Sequence, residues 1–167
     1  MKHTKTLFLA QGALIAALYV AMTYLAMLFG LDKGVIQFRL SEILTILPFF
    51  TPAAIPGLFA GCLLANVLTG CALWDIVFGS LATLLGACGT YLLRRWKWLA
   101  PLPPILANML IVPFVLRFVY AAEGSIPFFM LTVGIGEIVT AGICGMILLL
   151  NLQKSAHRIF HPFAKKN

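Results

Sequence analysis

Gln37-Phe38-Arg39-Leu40-Ser41-Glu42, and the apolar run after it that ends in Leu47-Pro48-Phe49-Phe50-Thr51-Pro52, is the stretch on which the reading of this chain turns. A guanidinium and a carboxylate stand three residues apart at the head of a segment otherwise hydrophobic enough for lipid. Inside a bilayer such groups cost about 2.5–3.5 kcal/mol each on insertion scales unless they are paired or face a cavity. A chain that keeps them there uses them. The other polar residues within its apolar segments then read as partners of this block.

The 167 residues are 62% hydrophobic and 10% charged, with mean hydropathy +1.01. Soluble domains run to about 45–50% apolar and about 25% charged, so the composition is that of an integral membrane protein of one domain. The apolar runs are continuous, not alternating, which selects helices over a transmembrane barrel. The net charge of +7 would suit nucleic acid if it lay on a soluble face. Instead Lys2, Lys5, Arg94, Arg95, Lys97, Lys154, Arg158, Lys165 and Lys166 flank apolar segments, the pattern of topology-setting charge. The first apolar run, 7–29, is too long for a signal-peptide core. Cys62, Cys71, Cys88 and Cys144 form no CxxC pair and read as small packing residues.

Three prolines, Pro48, Pro52 and Pro56, cut the run that follows Glu42, and one helix cannot hold all three. The chain therefore divides into six segments, at about 7–29, 41–50, 53–69, 73–93, 98–120 and 126–152. Gly30-Leu31-Asp32-Lys33-Gly34 reads as a turn, and the basic tail from Gln153 is expected to fray. With six spans and both termini cytoplasmic, all nine flanking basic residues lie inside, leaving only Lys33, Arg39 and Arg117 towards the outside. A single span over 41–69 would move the Arg94 loop outside and break the positive-inside bias.

This topology sends the polar residues to one leaflet. Gln37, Arg39, Ser41 and Glu42 open the second segment, Asn66 closes the third, and Trp74 and Asp75 open the fourth. Asn108 and Glu137 lie near mid-depth in the fifth and sixth segments. A polar pocket open to the outside accounts for this clustering. Arg39 and Glu42 could form a buried ion pair across one helical turn, or one of them could point into the pocket. Glu137 has no basic neighbour in sequence, so its partner is another segment, water or a ligand. Asp75 begins a face of small residues through Gly79, Ala82, Thr83 and Gly86. Asn66 and Asn108 suit interhelical hydrogen bonds or ligand contacts, and Trp74 an interfacial anchor or a stacking ring. Ala13, Ala17 and Ala21 line one face of the first segment, for internal packing or for a separate subunit.

The chain carries no GxxxxGK[ST] sequence, no HExxH, and histidines only near its ends, at His3, His157 and His161. It is read as neither an ATPase nor an intramembrane enzyme. A ligand-binding subunit that borrows its energy from partners fits these residues, with a stand-alone proton-coupled permease using Glu137 as the alternative from another class.

The run Gly34-Val35-Ile36-Gln37-Phe38-Arg39-Leu40-Ser41-Glu42, with Leu47-Pro48-Phe49-Phe50-Thr51-Pro52-Ala53-Ala54-Ile55-Pro56-Gly57-Leu58-Phe59, resembles the QueT family. So does Trp74-Asp75-Ile76-Val77-Phe78-Gly79-Ser80-Leu81-Ala82-Thr83-Leu84, and the likeness extends to Pro101-Leu102-Pro103-Pro104 and the Gly136-Glu137 step. The resemblance implies a queuosine-precursor substrate-binding subunit, or S component, of an energy-coupling-factor transporter in a prokaryotic cell membrane. It implies six helices, capture of a deazaguanine with an aminomethyl or cyano arm, and assembly with a transmembrane coupling protein (EcfT) and two cytoplasmic ATPases (EcfA type). It also implies that the Ala13, Ala17 and Ala21 face docks on the coupling protein. Under it, Glu42 and Glu137 are candidates to accept the paired donors of a guanine-like edge, and Asp75 to meet a cationic arm. Asn66, Asn108 or Gln37 would read carbonyl and ring nitrogen, Trp74 would cover the ring, and Arg39 would complete the pocket. No cofactor or metal is expected. An S component for another flat vitamin or nucleobase stays open.

Overall fold

The computed structural model describes residues 2–31 and 36–160. Every element among them is helical. The first is α1, Lys2–Leu28. It stops at Gly30, whose φ of +66° an L side chain resists. Gly30 N donates to Met27 O and Leu31 N to Ala26 O, the two bonds that close a helix on a left-handed glycine. The rest of the expected turn, 32–34, lies outside the described residues.

The stretch read as the organiser is the centre of the fold, but it is not an α-helix. Leu40–Phe49 is a 3₁₀ helix with Pro48 inside it. At about 2.0 Å per residue it reaches roughly 20 Å, a third longer than an α-helix of the same length. Side chains three apart eclipse in this geometry. Glu42, Thr45, Pro48 and Thr51 thus form one ridge, every member of it fully buried. Leu44, Leu47 and Phe50 form a second buried ridge. The 3₁₀ helix touches α1, the helices on either side of it and the C-terminal helical segment.

Four further helices surround it. They are α2, Ala54–Leu68; α3, Leu73–Leu92; α4, Leu102–Phe118; and α5, Ile126–Glu137. A π-helical stretch, Ile138–Cys144, then joins α5 to α6, Gly145–Gln153, as one continuous 28-residue helix. Three helices are long and apolar enough to cross a membrane, Lys5–Leu28, Leu73–Leu92 and Ile126–Gln153. The other apolar segments are shorter helices of 10–17 residues.

Two boundaries differ from the expected ones for identifiable reasons. The fifth segment begins as helix at Leu102, not near 98, because Pro103 and Pro104 fit only the first turn, where no N–H bond is lost. Those prolines lie flat on Gly86 and Gly89 of α3, where any Cβ would collide with them. The tail does not fray at Gln153. A short helix α7, Ala156–Ile159, turns Phe160 back onto Phe50, with ring centroids 5.2 Å apart and planes within 6°.

α1 shows two different small-residue faces. Gly12 and Ala16 pack on α2, so closely that a Cβ at Gly57 would stand 2.6 Å from the Gly12 carbonyl oxygen. At Gly61 it would stand 2.7 Å from Tyr19 Cβ. Ala13, Ala17 and Ala21 face the opposite way and are exposed. Internal packing is therefore the business of Gly12 and Ala16, a pairing the alanine spacing did not reveal.

Candidate functional site

Arg39 precedes the 3₁₀ helix in an extended conformation, ψ 92°, so it does not sit one helical turn from Glu42. Among the described residues no carboxylate lies within 4.0 Å of its guanidinium. Of the two readings of Arg39 and Glu42, the ion pair is not formed among the described residues. Arg39 instead lines a cavity of about 160 Å³ with Tyr19, Ser41, Asn66, Thr69 and Cys71, where it feels the charges of Asp75 and Glu42 from beyond contact range.

Glu42 turns inward and is fully buried. Tyr19 Oη on α1 donates to its Oε1 at 2.5 Å. Thr83 Oγ1 on α3 lies 3.4 Å from the same oxygen, its proton shared with the Gly79 carbonyl. Asn108 Nδ2 on α4 donates to Oε2 at 3.3 Å. Three helices thus meet on one carboxylate. Tyr19 went unnoticed in the sequence, although a tyrosine buried in an apolar helix needs a partner for its hydroxyl.

Beside this hub lies a different pair. Asn108 is fully buried and Glu137 is 3% exposed, yet Asn108 Oδ1 and Glu137 Oε2 have no hydrogen-bond partner. Buried polar atoms are satisfied in the great majority of cases. Among the described residues these two acceptors on neighbouring helices meet no donor.

A cavity of about 310 Å³ is lined by Gln37, Leu116, Ala122, Glu123, Phe128, Phe129, Thr132 and Val133, and neither Asn108 nor Glu137 is among its walls. Asn108, Val112 and Leu116 recur every four residues on α4, as do Phe129, Val133 and Glu137 on α5. Each set shares one helix face. Leu116 and Val133 of the cavity wall thus lie on the same helix faces as Asn108 and Glu137, two turns and one turn away along the chain. The 36–39 segment is seated on α5 where Gly136 leaves its backbone bare against the Gln37 carbonyl. Gly136→Ala should displace this segment and weaken ligand binding at least several-fold, since overpacking costs about 1–3 kcal/mol. Titration of purified protein checks it; unchanged affinity would mean that the segment is no part of the site.

The remaining candidates separate. Asp75 is buried, and its Oδ2 accepts from Tyr120 Oη at 2.8 Å, while Tyr120 Oη accepts from Ala72 N. Its Oδ1 and the Asn66 amide nitrogen both flank the bare backbone of Gly79. Trp74 is 56% exposed, stacks on Phe78 at 5.9 Å, and lines an outward apolar groove with Phe114 and Phe118. It is not brought to Asn108 and Glu137. Among the described residues no group of acidic, histidine and cysteine side chains could hold a metal.

Comparison with known proteins adds an independent line. Over 99 residues the chain is 37% identical to the Queuosine precursor transporter QueT of Lactococcus lactis subsp. cremoris (strain MG1363). That match covers 58% of this chain and 57% of the relative, so it spans little more than half the length of either protein. No solved structure matches. A model of the family described as QueT transporter matches residues 9–154, nearly the entire helical body just described. On that coverage the chain, a membrane protein by its apolar helices, belongs to the QueT transporter family.

Proposed function

We propose that this protein is the solitary capture subunit, the S component, of an energy-coupling-factor importer, and that it takes up a queuosine precursor. The ligand is a deazaguanine with an aminomethyl or cyano arm, bound from outside a prokaryotic cytoplasmic membrane. On this reading the chain is a single domain of six spans with both termini cytoplasmic. The observation that carries the proposal is the pair of buried acceptors without a partner among the described residues, Asn108 Oδ1 and Glu137 Oε2, on the helix faces that further along line a cavity. A guanine-like edge offers an N–H and an exocyclic amine side by side, and a carboxylate takes such donors strongly. Asp75 Oδ1 stays the candidate for a cationic arm, with Asn66 beside it. Gln37 and Arg39 line the flanking cavities, and Trp74 serves best as an anchor towards lipid.

The relative's name supports the choice of ligand. The exposed face of Ala13, Ala17 and Ala21 supports a docked partner, taken here to be a transmembrane coupling protein carrying two cytoplasmic ATPases. The test has two arms. Detergent-purified chain, alone and without ATP, should bind aminomethyl- or cyano-deazaguanine and reject guanine and riboflavin. Leucine at Ala13, Ala17 and Ala21 together should leave that binding intact and abolish partner-dependent uptake. A folded chain that binds neither deazaguanine refutes the ligand. Full uptake by the triple variant, or uptake that needs no partners and collapses with an uncoupler, refutes the borrowed-energy mechanism.

A further inference from the structure

Glu42 was the natural first choice to read the ligand, but its oxygens are already occupied. Oε1 takes the Tyr19 and Thr83 hydroxyls, and Oε2 takes the Asn108 amide. With the Tyr19 and Thr83 hydroxyls on Oε1, Glu42 meets Asn108 as an acceptor through Oε2, and Asn108 presents Nδ2 to it. The two ends of a planar amide point apart, so Oδ1 is turned away from Glu42, and there it has no partner. Glu137 Oε2 is left in the same condition on the adjoining helix.

We propose that Glu42 is a positioning residue that sets the hydrogen-bond polarity of the site. By holding Asn108 in one of its two amide orientations, it makes the site offer two acceptors and so demand a ligand edge with two donors. The specificity of the pocket would thus be written partly by a carboxylate that never touches the ligand. This rests on the reading that a deazaguanine sits at Asn108 and Glu137.

Moving the carboxylate tests it. In Glu42→Gln the Tyr19 and Thr83 hydroxyls keep an acceptor in the new amide oxygen, and the amide nitrogen then faces Asn108. Two NH₂ groups cannot face each other, so Asn108 turns over and shows a donor to the ligand. Affinity for the deazaguanine should fall at least about tenfold, the cost of one good hydrogen bond replaced by a donor–donor clash. Asn108→Asp alone sets two carboxylates against each other and should also bind poorly. In Glu42→Gln/Asn108→Asp the glutamine amide donates to one oxygen of the new carboxylate, and the other oxygen again faces the ligand. The double variant should recover affinity to within about threefold of wild type.

Binding is titrated for all four proteins, with melting temperature recorded alongside. A purely structural Glu42 predicts losses that add, with no recovery in the double variant. Wild-type affinity in folded Glu42→Gln, or a folded double variant that binds no better than the single ones, overturns the inference. If Glu42→Gln fails to fold, the double variant alone decides by the same criterion. A wild-type chain that binds neither deazaguanine instead overturns the functional reading, so the two failures are distinct.

Discussion

Glu137→Gln should weaken ligand binding roughly fivefold to a hundredfold while melting no lower than the unaltered protein. The Glu137 side chain is 3% exposed and has an oxygen that no described residue satisfies. A group kept in that state lowers the stability of the empty protein, because burying an unpaired polar atom is costly. Replacing it by a neutral isostere relieves the cost and removes the acceptor that the ligand needs. One ligand donor left without its acceptor costs about 1–3 kcal/mol, which at about 1.4 kcal/mol per tenfold is a loss of roughly fivefold to a hundredfold. Calorimetric titration and a thermal melt on the same sample check both halves. Affinity within about threefold of wild type would remove Glu137 from the site. A large drop in melting temperature would mean that the carboxylate has a structural partner after all.

The second large effect is expected at Gly57. Its missing side chain lets α2 lie directly on the Gly12 backbone, where even a Cβ would approach a carbonyl oxygen to 2.6 Å. Backbone cannot swing aside as a flexible side chain can. Gly57→Leu should wedge α1 from α2 and drag Tyr19 off Glu42, since Tyr19 lies on the same packed face. Overpacking costs about 1–3 kcal/mol, and each kcal/mol shifts melting by about 2–4 °C for a chain of this size. The melt should fall by roughly 2–12 °C on those figures. Ala17→Leu, on the exposed face of the same helix, should leave it unmoved. Equal shifts for the two variants would show that α1 has no preferred face.

The membrane class, the segments and the importance of residues 37–52 were legible because they depend on local composition. A guanidinium and a carboxylate in an apolar stretch stand out whatever the fold. The 3₁₀ geometry did not stand out. The threefold recurrence of Glu42, Thr45, Pro48 and Thr51 is its trace, but such spacing also suits an α-helix. The Arg39–Glu42 pair failed for a related reason, because a spacing of three makes neighbours only when both residues are helical. Arg39 is extended. The role of Glu42 was hidden differently. Its donors Tyr19, Thr83 and Asn108 are 23, 41 and 66 residues away, and nothing in one sequence pairs residues so distant. Glu137 was legible as a residue without a local partner, and its unsatisfied oxygen agrees with that description. Trp74 could not be assigned from sequence, since belt and stacking roles use the same side chain, and its exposed ring on Phe78 suits either.

The π-helical stretch at Ile138–Cys144 begins at the residue after Glu137. A single π turn holds one residue more than the α turn it replaces. It therefore acts as a phase adjuster between Glu137 and Leu149, letting both stay buried. A relative with an ordinary α-helix here would align with a one-residue gap between 138 and 144 and keep both faces in register. Substitutions could be compared across that gap, but a deletion made elsewhere in the same helix would turn everything beyond it by about 100°. In this helix the count of residues, as well as their kind, is part of the site.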